Sequence, residues 1–536
     1  MANAMNAKAE TVDAVVVGAG PNGLVAANLL ADAGWDVLVL EEQDTPGGAV
    51  RTAELTAPGY RNDVCSAFYP LAAASPVVSG LNLGAHGLRW LHAPLALAHV
   101  LPDDRSAVIS RDLDRTAESV SAFAPADGDA WHAEFASWQR LRAPLLDALF
   151  RPFPPVRAGL RLARTLGAAE SLRLARLLTM PVRALVHERF QGEGARVLFA
   201  GNAQHSDLGP GHAGSAVFGW LLTMLAQDVG FPVPEGGAGR LTDALVDRLT
   251  SAGGRVACGR PVTRVHTAAG EAVGVSDATG RMTRARKAVL ATVPAPTLYR
   301  DLLAEGTLPP RLLRDLRGFH WDDATVKVDW ALSGPIPWSN ADVRGAGTVH
   351  LEADLTGLAD YHADLSTGRI PDPPFLLLGQ MSTADPSRSP EGTESAWVYT
   401  HVPQRLSWDR DALRRFADRL ESIVERHAPG FTSRIEARHV QGPDDLHHVD
   451  GNLVGGAING GTAAVHQQLF LRPVPGLGRA DTPVDRLYLA GASAHPGGAV
   501  HGGPGANAAR AALRRAGRGG AAYREVIQRL HGAIYR

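Results

Sequence analysis

The sequence predicts an α/β fold that opens with a Rossmann-like unit and closes with a glycine-rich strand–loop–helix. The first observation lies in residues 13–42. Residues 13–17 read as a short buried strand and Gly18, Gly20 and Gly23 as a turn. Residues 24–33 follow as a helix closed by Gly34, then residues 37–40 as a second buried strand running into Glu41 and Glu42. The second is a set of short strand candidates at 255–258, 262–266, 272–276 and 288–292, several of them separated by turns at Gly259, Gly270 and Gly280. The third is a strand at 487–490, a Gly-rich loop, and a helix over 506–515.

The intervening chain is mixed. Residues 111–124 and 211–226 read as helices. Residues 131–186 are mostly helical, punctuated by Pro144, Pro152, Pro154, Pro155 and Pro181. Gly236, Gly237 and Gly239 precede a helix over 241–249. Residues 325–332, 375–379 and 396–402 read as strands, 411–427 as an amphipathic helix, and 521–535 as a terminal docking helix.

Bulk properties narrow the function classes. A chain of 536 residues exceeds one domain of common size. Apolar residues at 45% and charged ones at 20% exclude wholesale disorder and a fibrous repeat. With 53 basic against 55 acidic residues, nothing predicts an extended polyanion, so nucleic acid is not an expected partner. Cys65 and Cys258 are too few for a disulfide framework or a zinc cluster, and no metal site is predicted. Asp444, Asp445, His447 and His448 read as a solvated loop because their spacing is irregular. Lys8, Lys287 and Lys327 are the only lysines among the basic residues. The N-terminus lacks a secretory pattern, and no stretch reaches the roughly 18–20 apolar residues of a membrane span. The reading is cytoplasmic, with surface attachment to a membrane left open.

The glycine turn has a physical reading. Gly18 permits the tight turn, Gly20 lets backbone approach a pyrophosphate, and Gly23 permits close helix–strand packing. The helix N-terminus then offers unpaired N–H groups to phosphate. Glu41 can accept from a ribose 2′-OH and disfavours a 2′-phosphate.

The run at 16–24, Val-Val-Gly-Ala-Gly-Pro-Asn-Gly-Leu, contains Pro21 and Asn22. Together with Glu41, Glu42, Gly47, Gly48 and Arg51 it resembles the FAD-binding N-terminus of the phytoene desaturase group. Amine oxidases and retinol saturase are more distant relatives of that group. Residues 487–500 resemble the C-terminal flavin-binding signature of carotenoid desaturases. The resemblance implies a glutathione reductase-like FAD domain interleaved with a mixed-sheet substrate domain and a helical lid. Residues 10–75, 231–300 and 481–536 would form the FAD domain and the C-terminal helix. Residues 76–230 and 301–480 would form the substrate domain. It also implies that Gly47, Gly48 and Arg51 lie beside the pyrophosphate and that Val262 offers backbone groups near the adenine. Gly491 would approach the ribityl region, and Gly498, Ala499 and Val500 the flavin ring.

The implied reaction moves a hydride between flavin N5 and a hydrophobic substrate, desaturating, saturating or isomerising carbon–carbon bonds of a polyene or lipid-like metabolite. Amine oxidase-like C–N oxidation and a non-enzymatic FAD-containing interaction protein are the alternatives. His495, His501, Asn459 and Gln468 are candidates for tuning the flavin or exchanging a proton. No second complete dinucleotide motif is present, so reoxidation would use oxygen, a quinone or another diffusible acceptor. Arg151, Arg157, Arg161, Arg164, Arg173, Arg176 and Arg183 alternate with leucines and only one acid, Glu170. That stretch is a helical lid with a solvated face or a peripheral membrane contact. A homo-oligomer is left open.

Overall fold

The computed structural model describes residues 10–536. Residues 1–9, with Lys8 and most of the N-terminal stretch considered above, lie outside the described residues. Among the described residues, fourteen strands make two large sheets. In chain order they are β1 (Glu10–Val17), β2 (Val37–Leu40), β3 (Leu95–Val100), β4 (Ser106–Ile109), β5 (Arg255–Ala257), β6 (Val262–Ala268) and β7 (Glu271–Asp277). There follow β8 (Met282–Ala291), β9 (Ala324–Leu332), β10 (Ala346–Leu351), β11 (Leu376–Gln380), β12 (Glu394–Val402), β13 (Ile435–Gln441) and β14 (Leu487–Leu489).

The first sheet has the order β6-β7-β8-β1-β2-β5, with β14 beside β8. Its centre is parallel: β1 runs with β2 and β8, β2 with β5, and β8 with β14. A parallel sheet needs cover on both faces, and the side chains alternate accordingly. Ala14 and Val16 join a core with Leu24, Ala27, Ala506 and Ala509, whereas Val15 and Val17 join one with Leu298, Tyr299 and Leu312. The helices Pro21–Asp32 and Gly503–Ala516 pack on the same face. Their contact is so close that a Cβ on Gly505 would run into the Asn22 carbonyl.

The second sheet has the order β13-β9-β12-β11-β10-β3-β4 and is antiparallel except for β10 and β3. One face carries Val326, Val328, Trp330, Leu378 and Val398 against the amphipathic helix Arg410–His427, through Leu413, Phe416, Leu420 and Val424. Trp330 Nε1 donates to Glu421 Oε1 at 2.9 Å across that seam. Residues 325–332 alternate in sequence, yet all of β9 is buried, because the polar face is covered as well.

Several readings need correction. Pro144 does not interrupt its helix, which runs from Asp127 to Leu149. Asp444, Asp445, His447 and His448 do not form a loop but sit in a short helix, Pro443–Val449, with Pro443 in its first turn. β3, β4, β10 and β13 were not legible as strands.

The Gly505 contact generates a test. Gly505→Ala forces the two helices apart and destabilises the protein by about 2 kcal/mol, the scale of an overpacked core; thermal unfolding reads this directly.

Candidate functional site

Three glycine-rich loops converge where β1, β8 and β14 end. In the first, Gly18 has φ +96° and its N–H donates to the Leu40 carbonyl at 2.8 Å. A Cβ on Gly18 would run into Thr292 Oγ1, and one on Gly23 into the Gly18 carbonyl. Both glycines are therefore packing requirements. Gly20 is different: a Cβ there would meet nothing within 4 Å. It opens onto free space at the N-terminus of the helix Pro21–Asp32, where Pro21 starts the helix and the Asn22 Oδ1 atom is buried without a partner.

The second loop closes on the first. Gly47 N–H donates to the Ala19 carbonyl at 3.0 Å. A Cβ on Gly48 would lie 3.3 Å from the Gly20 Cα and 3.1 Å from Asp450 Oδ2. Glu41 is buried, and its carboxylate accepts from Ala19 N–H at 2.6 Å and Gln43 N–H at 3.0 Å. Glu42 stays exposed. Arg260 N–H donates to the Glu41 carbonyl at 2.8 Å, and Val262 follows two residues later, at the start of the edge strand β6. Arg51 gives Nε to the Gly48 carbonyl at 2.9 Å and Nη2 to the Val449 carbonyl at 2.6 Å. Its guanidinium thus ties the turn at 47–48 to the end of the helix Pro443–Val449. Next to it, burial pushes the Asp450 carboxyl up to about 6; the Asn452 N–H opposes the shift, the Glu41 charge adds to it, Arg51 opposes and Glu42 adds.

The third loop, residues 491–502, meets residues 458–463. A Cβ on Gly491 would run into the Thr292 carbonyl, so Thr292 braces the first and third loops together. A Cβ on Gly498 would sit 2.6 Å from the Asn459 carbonyl. Ala499 takes φ +73°, and Val500 packs half-buried against the core. The amides of residues 458–463 face carboxylates: Asp322 accepts from Ile458, Asn459 and Gly461, and Asp207 from Ala463 and the Thr462 hydroxyl. The carbonyls face Arg472, which is 1% exposed and donates to Asn459, Thr462 and Ala492. Burial lowers Arg472 to about 10, and both aspartates oppose that shift; burial raises both carboxyls. Gln468 also serves this loop, donating to the Thr462 carbonyl at 3.1 Å.

The three candidate catalytic residues separate here. His501 has both ring nitrogens in use: Nε2 pairs with the Gly498 carbonyl at 2.9 Å, and Nδ1 accepts from Gly503 N–H at 3.0 Å. It braces the helix start at Gly503. His495 makes no well-formed hydrogen bond, although the backbone carbonyls of Arg151 and Leu149 lie beside its ring. Asn459 Nδ2 is buried and unpartnered. Burial lowers both histidines to about 4, so both rings are neutral at pH 7.

Facing these loops is the polar side of the second sheet. Register aligns Gln441, Lys327, Tyr399, Leu377, His350, His99 and Ala107 in one row across its strands. Asp329 and Trp397 lie in the next row, and Thr325 with His401 in the row on the other side. Lys327 Nζ reaches the Asp63 carbonyl at 2.9 Å and Asp329 at 2.6 Å, fully buried. Trp397 and Tyr399 stack with centroids 5.8 Å apart. Burial lowers His99, His205 and His401 to about 4 and His362 to about 3. The sequence reading missed this face, although a buried lysine in an arginine-dominated chain was a usable signal. Both cysteines are free, and burial pushes the Cys65 thiol up to about 12, far from a thiolate. No group of three metal-ligating side chains occurs among the described residues.

The loops fit FAD. Gly20 leaves room for a phosphate, and each of the loops at 18–23, 458–461 and 491–503 offers a buried polar atom without a partner, on Asn22, Asn459 and His495. Pro21, Gly47, Gly48 and Arg51 border the first of these, and Gly491, Gly498, Ala499 and Val500 the last.

Two outcomes follow. Asp450 ionises as pH rises through about 6, placing charge beside the Gly20–Gly48 cradle. FAD affinity, followed by flavin fluorescence, therefore falls several-fold from pH 5 to pH 8, and Asp450→Asn flattens the dependence. The neutral buried histidines bind protons only on unfolding, so their contribution to stability is present above about pH 6.5 and is lost as pH falls toward 4. The melting temperature drops between pH 7 and pH 5.

Comparison with known proteins agrees with this geometry. Residues 16–81 match an NAD(P)-binding Rossmann-like domain, and residues 111–513 match the flavin containing amine oxidoreductase model. The chain is 28% identical to the mouse pyridine nucleotide-disulfide oxidoreductase domain-containing protein 2, covering 94% of this chain and 93% of the relative. It is 30% identical to hydroxyneurosporene desaturase of Cereibacter sphaeroides, over 91% of this chain and 94% of that one. A putrescine oxidase structure aligns with TM-score 0.60 at 16% identity, over 94% of this chain and 98% of that chain, which speaks to the fold. The chain belongs to the flavin containing amine oxidoreductase family, within its carotenoid desaturase-like relatives, and its cofactor is FAD.

Proposed function

We propose that the chain oxidises a hydrophobic substrate by removing a hydride from carbon, introducing a carbon–carbon double bond in a polyene or lipid-like metabolite. The observation that carries this reading is an aromatic path from the surface to the third loop. Phe470, 54% exposed, lies 5.9 Å from Phe153, which lies 5.8 Å from His495. Val465 and Leu469, in the segment that carries Phe470, are exposed as well and add apolar surface beside it. An apolar mouth leading to a neutral histidine suits a lipophilic ligand rather than a cation.

FAD, when bound, supplies the hydride acceptor. Pro21, Asn22, Glu41 and the turn at 47–48 hold its nucleotide half, and Gly491, Gly498, Ala499, Val500 and Asn459 border its reacting half. Arg472, Asp322 and Asp207 keep that border rigid, and the polar face of β9 and β12 forms the chamber wall opposite. Arg157, Arg164 and Arg183 are exposed without ion pairs among the described residues, whereas Arg161, Arg173 and Arg176 are paired to acids. The unpaired three, with the apolar rim, are the face we place against an anionic lipid surface. No helix among the described residues is long and apolar enough to cross a membrane. With one dinucleotide motif, reoxidation falls to oxygen, a quinone or another diffusible acceptor.

Anaerobic mixing of the FAD-loaded protein with phytoene in detergent micelles, a saturated lipid and putrescine tests the reading. Phytoene bleaches the oxidised-flavin band and putrescine leaves it intact. Bleaching by putrescine alone would instead mark C–N oxidation, and a flavin that none of them reduces would mark a structural cofactor.

A further inference from the structure

One carboxylate in the chamber has no structural occupation. Asp207, Asp322 and Asp323 stand close together, and the Arg472 charge acts on the first two. Asp322 spends its oxygens on three backbone amides, and Asp207 on an amide and a hydroxyl. Asp323 accepts no hydrogen bond from any described residue, yet it is only partly exposed. It immediately precedes β9, in phase with Thr325 and Lys327 on the polar face. Its neighbour Asp322 holds the loop at 458–461, and its charge bears on Asp207 and on Tyr361 of the helix Leu355–Ser366. Two further polar atoms on the polar face lack partners. His401, 1% exposed, leaves Nε2 free, while its Nδ1 lies 3.3 Å from Thr325 Oγ1. Tyr399, the cross-strand neighbour of Lys327, has no hydrogen bond on its hydroxyl among the described residues.

We propose that Asp323 is the catalytic proton acceptor of this chamber, with Tyr399 and His401 lining the substrate beside it. The assignment rests on the hydride-removal reading above. A hydride leaves one substrate carbon with its electron pair and passes to FAD, which is reduced by two electrons. Asp323 takes the proton from the adjacent carbon, and the electron pair of that C–H bond becomes the new carbon–carbon π bond. Run backwards, the same carboxyl delivers the proton in a saturation. Burial, with the Asp322 charge adding, pushes Asp323 up to about 7, so it can hold or release a proton near neutrality. The groups around it are the adjacent Asp322, then Asp207, Tyr361 of the helix Leu355–Ser366, and His401, which pairs in register with Thr325; Arg472 acts on Asp322 and Asp207 behind them, and burial keeps the histidine and the phenol neutral.

Two measurements on the FAD-loaded protein test this. Isotope-edited infrared difference spectra between wild type and Asp323→Asn show a protonated-carboxyl band that vanishes as pH rises through about 7. Its absence at low pH, or its persistence to high pH, overturns the assignment without touching the oxidoreductase reading. In anaerobic flavin reduction by phytoene, the wild-type rate rises with pH through the same range. Asp323→Asn is slower by about 100-fold and loses the pH dependence. Asp323→Glu, which serves if the asparagine variant does not fold, is slowed by about 100-fold but keeps the pH dependence. A variant that reduces its flavin at the wild-type rate and profile sinks Asp323 alone. A wild-type flavin that phytoene does not reduce sinks the hydride-removal reading and Asp323 with it.

Discussion

Arg472 is the constraint on which the reacting end depends. A guanidinium in the interior is tolerable only when its donors are met and its charge is answered. Here the carbonyls of Asn459, Thr462 and Ala492 meet the donors, and Asp322 and Asp207 answer the charge through the same loop. The arrangement is economical because one backbone segment mediates both signs: its amides turn to the carboxylates and its carbonyls to the arginine. Loops 458–463 and 491–502 are consequently stiff without regular secondary structure. That stiffness lets glycines such as Gly498 sit against Asn459 backbone with no side chain between them.

The nucleotide end was legible because its determinants are local. Gly18, Gly20, Gly23 and Glu41 fall within one strand–turn–helix–strand unit, and each residue's role follows from its neighbours in sequence. The structure adds Thr292, which cannot be read from a motif because its partners, Gly18 and Gly491, are far away in the chain. The substrate side was mostly illegible for a related reason. β3 and β10 are fully buried, so no polar–apolar alternation marks them, and the row running from Lys327 to His99 exists only through strand register. His495 and His501 looked alike in sequence. Their hydrogen bonds distinguish them: His501 is consumed by backbone, and His495 is not.

The second sheet shows how a single layer can serve two purposes. Its apolar face is an ordinary seam with the helix Arg410–His427. Its other face is just as buried but carries lysine, aspartate, tyrosine and histidine. Burying polar groups is costly unless they are paired or neutral. Lys327 and Asp329 are paired, and the histidines are neutral. A face built on those terms keeps polar atoms inside the protein without leaving a charge unanswered.

The contact between Gly505 and Asn22 has a consequence for biosynthesis. The helix Pro21–Asp32 is synthesised well before the helix Gly503–Ala516 that packs on it. Until the second is made, the apolar surface of the early helix, Leu24 and Ala27 included, lacks its partner. A nascent chain paused upstream of residue 503 therefore leaves that apolar surface uncovered.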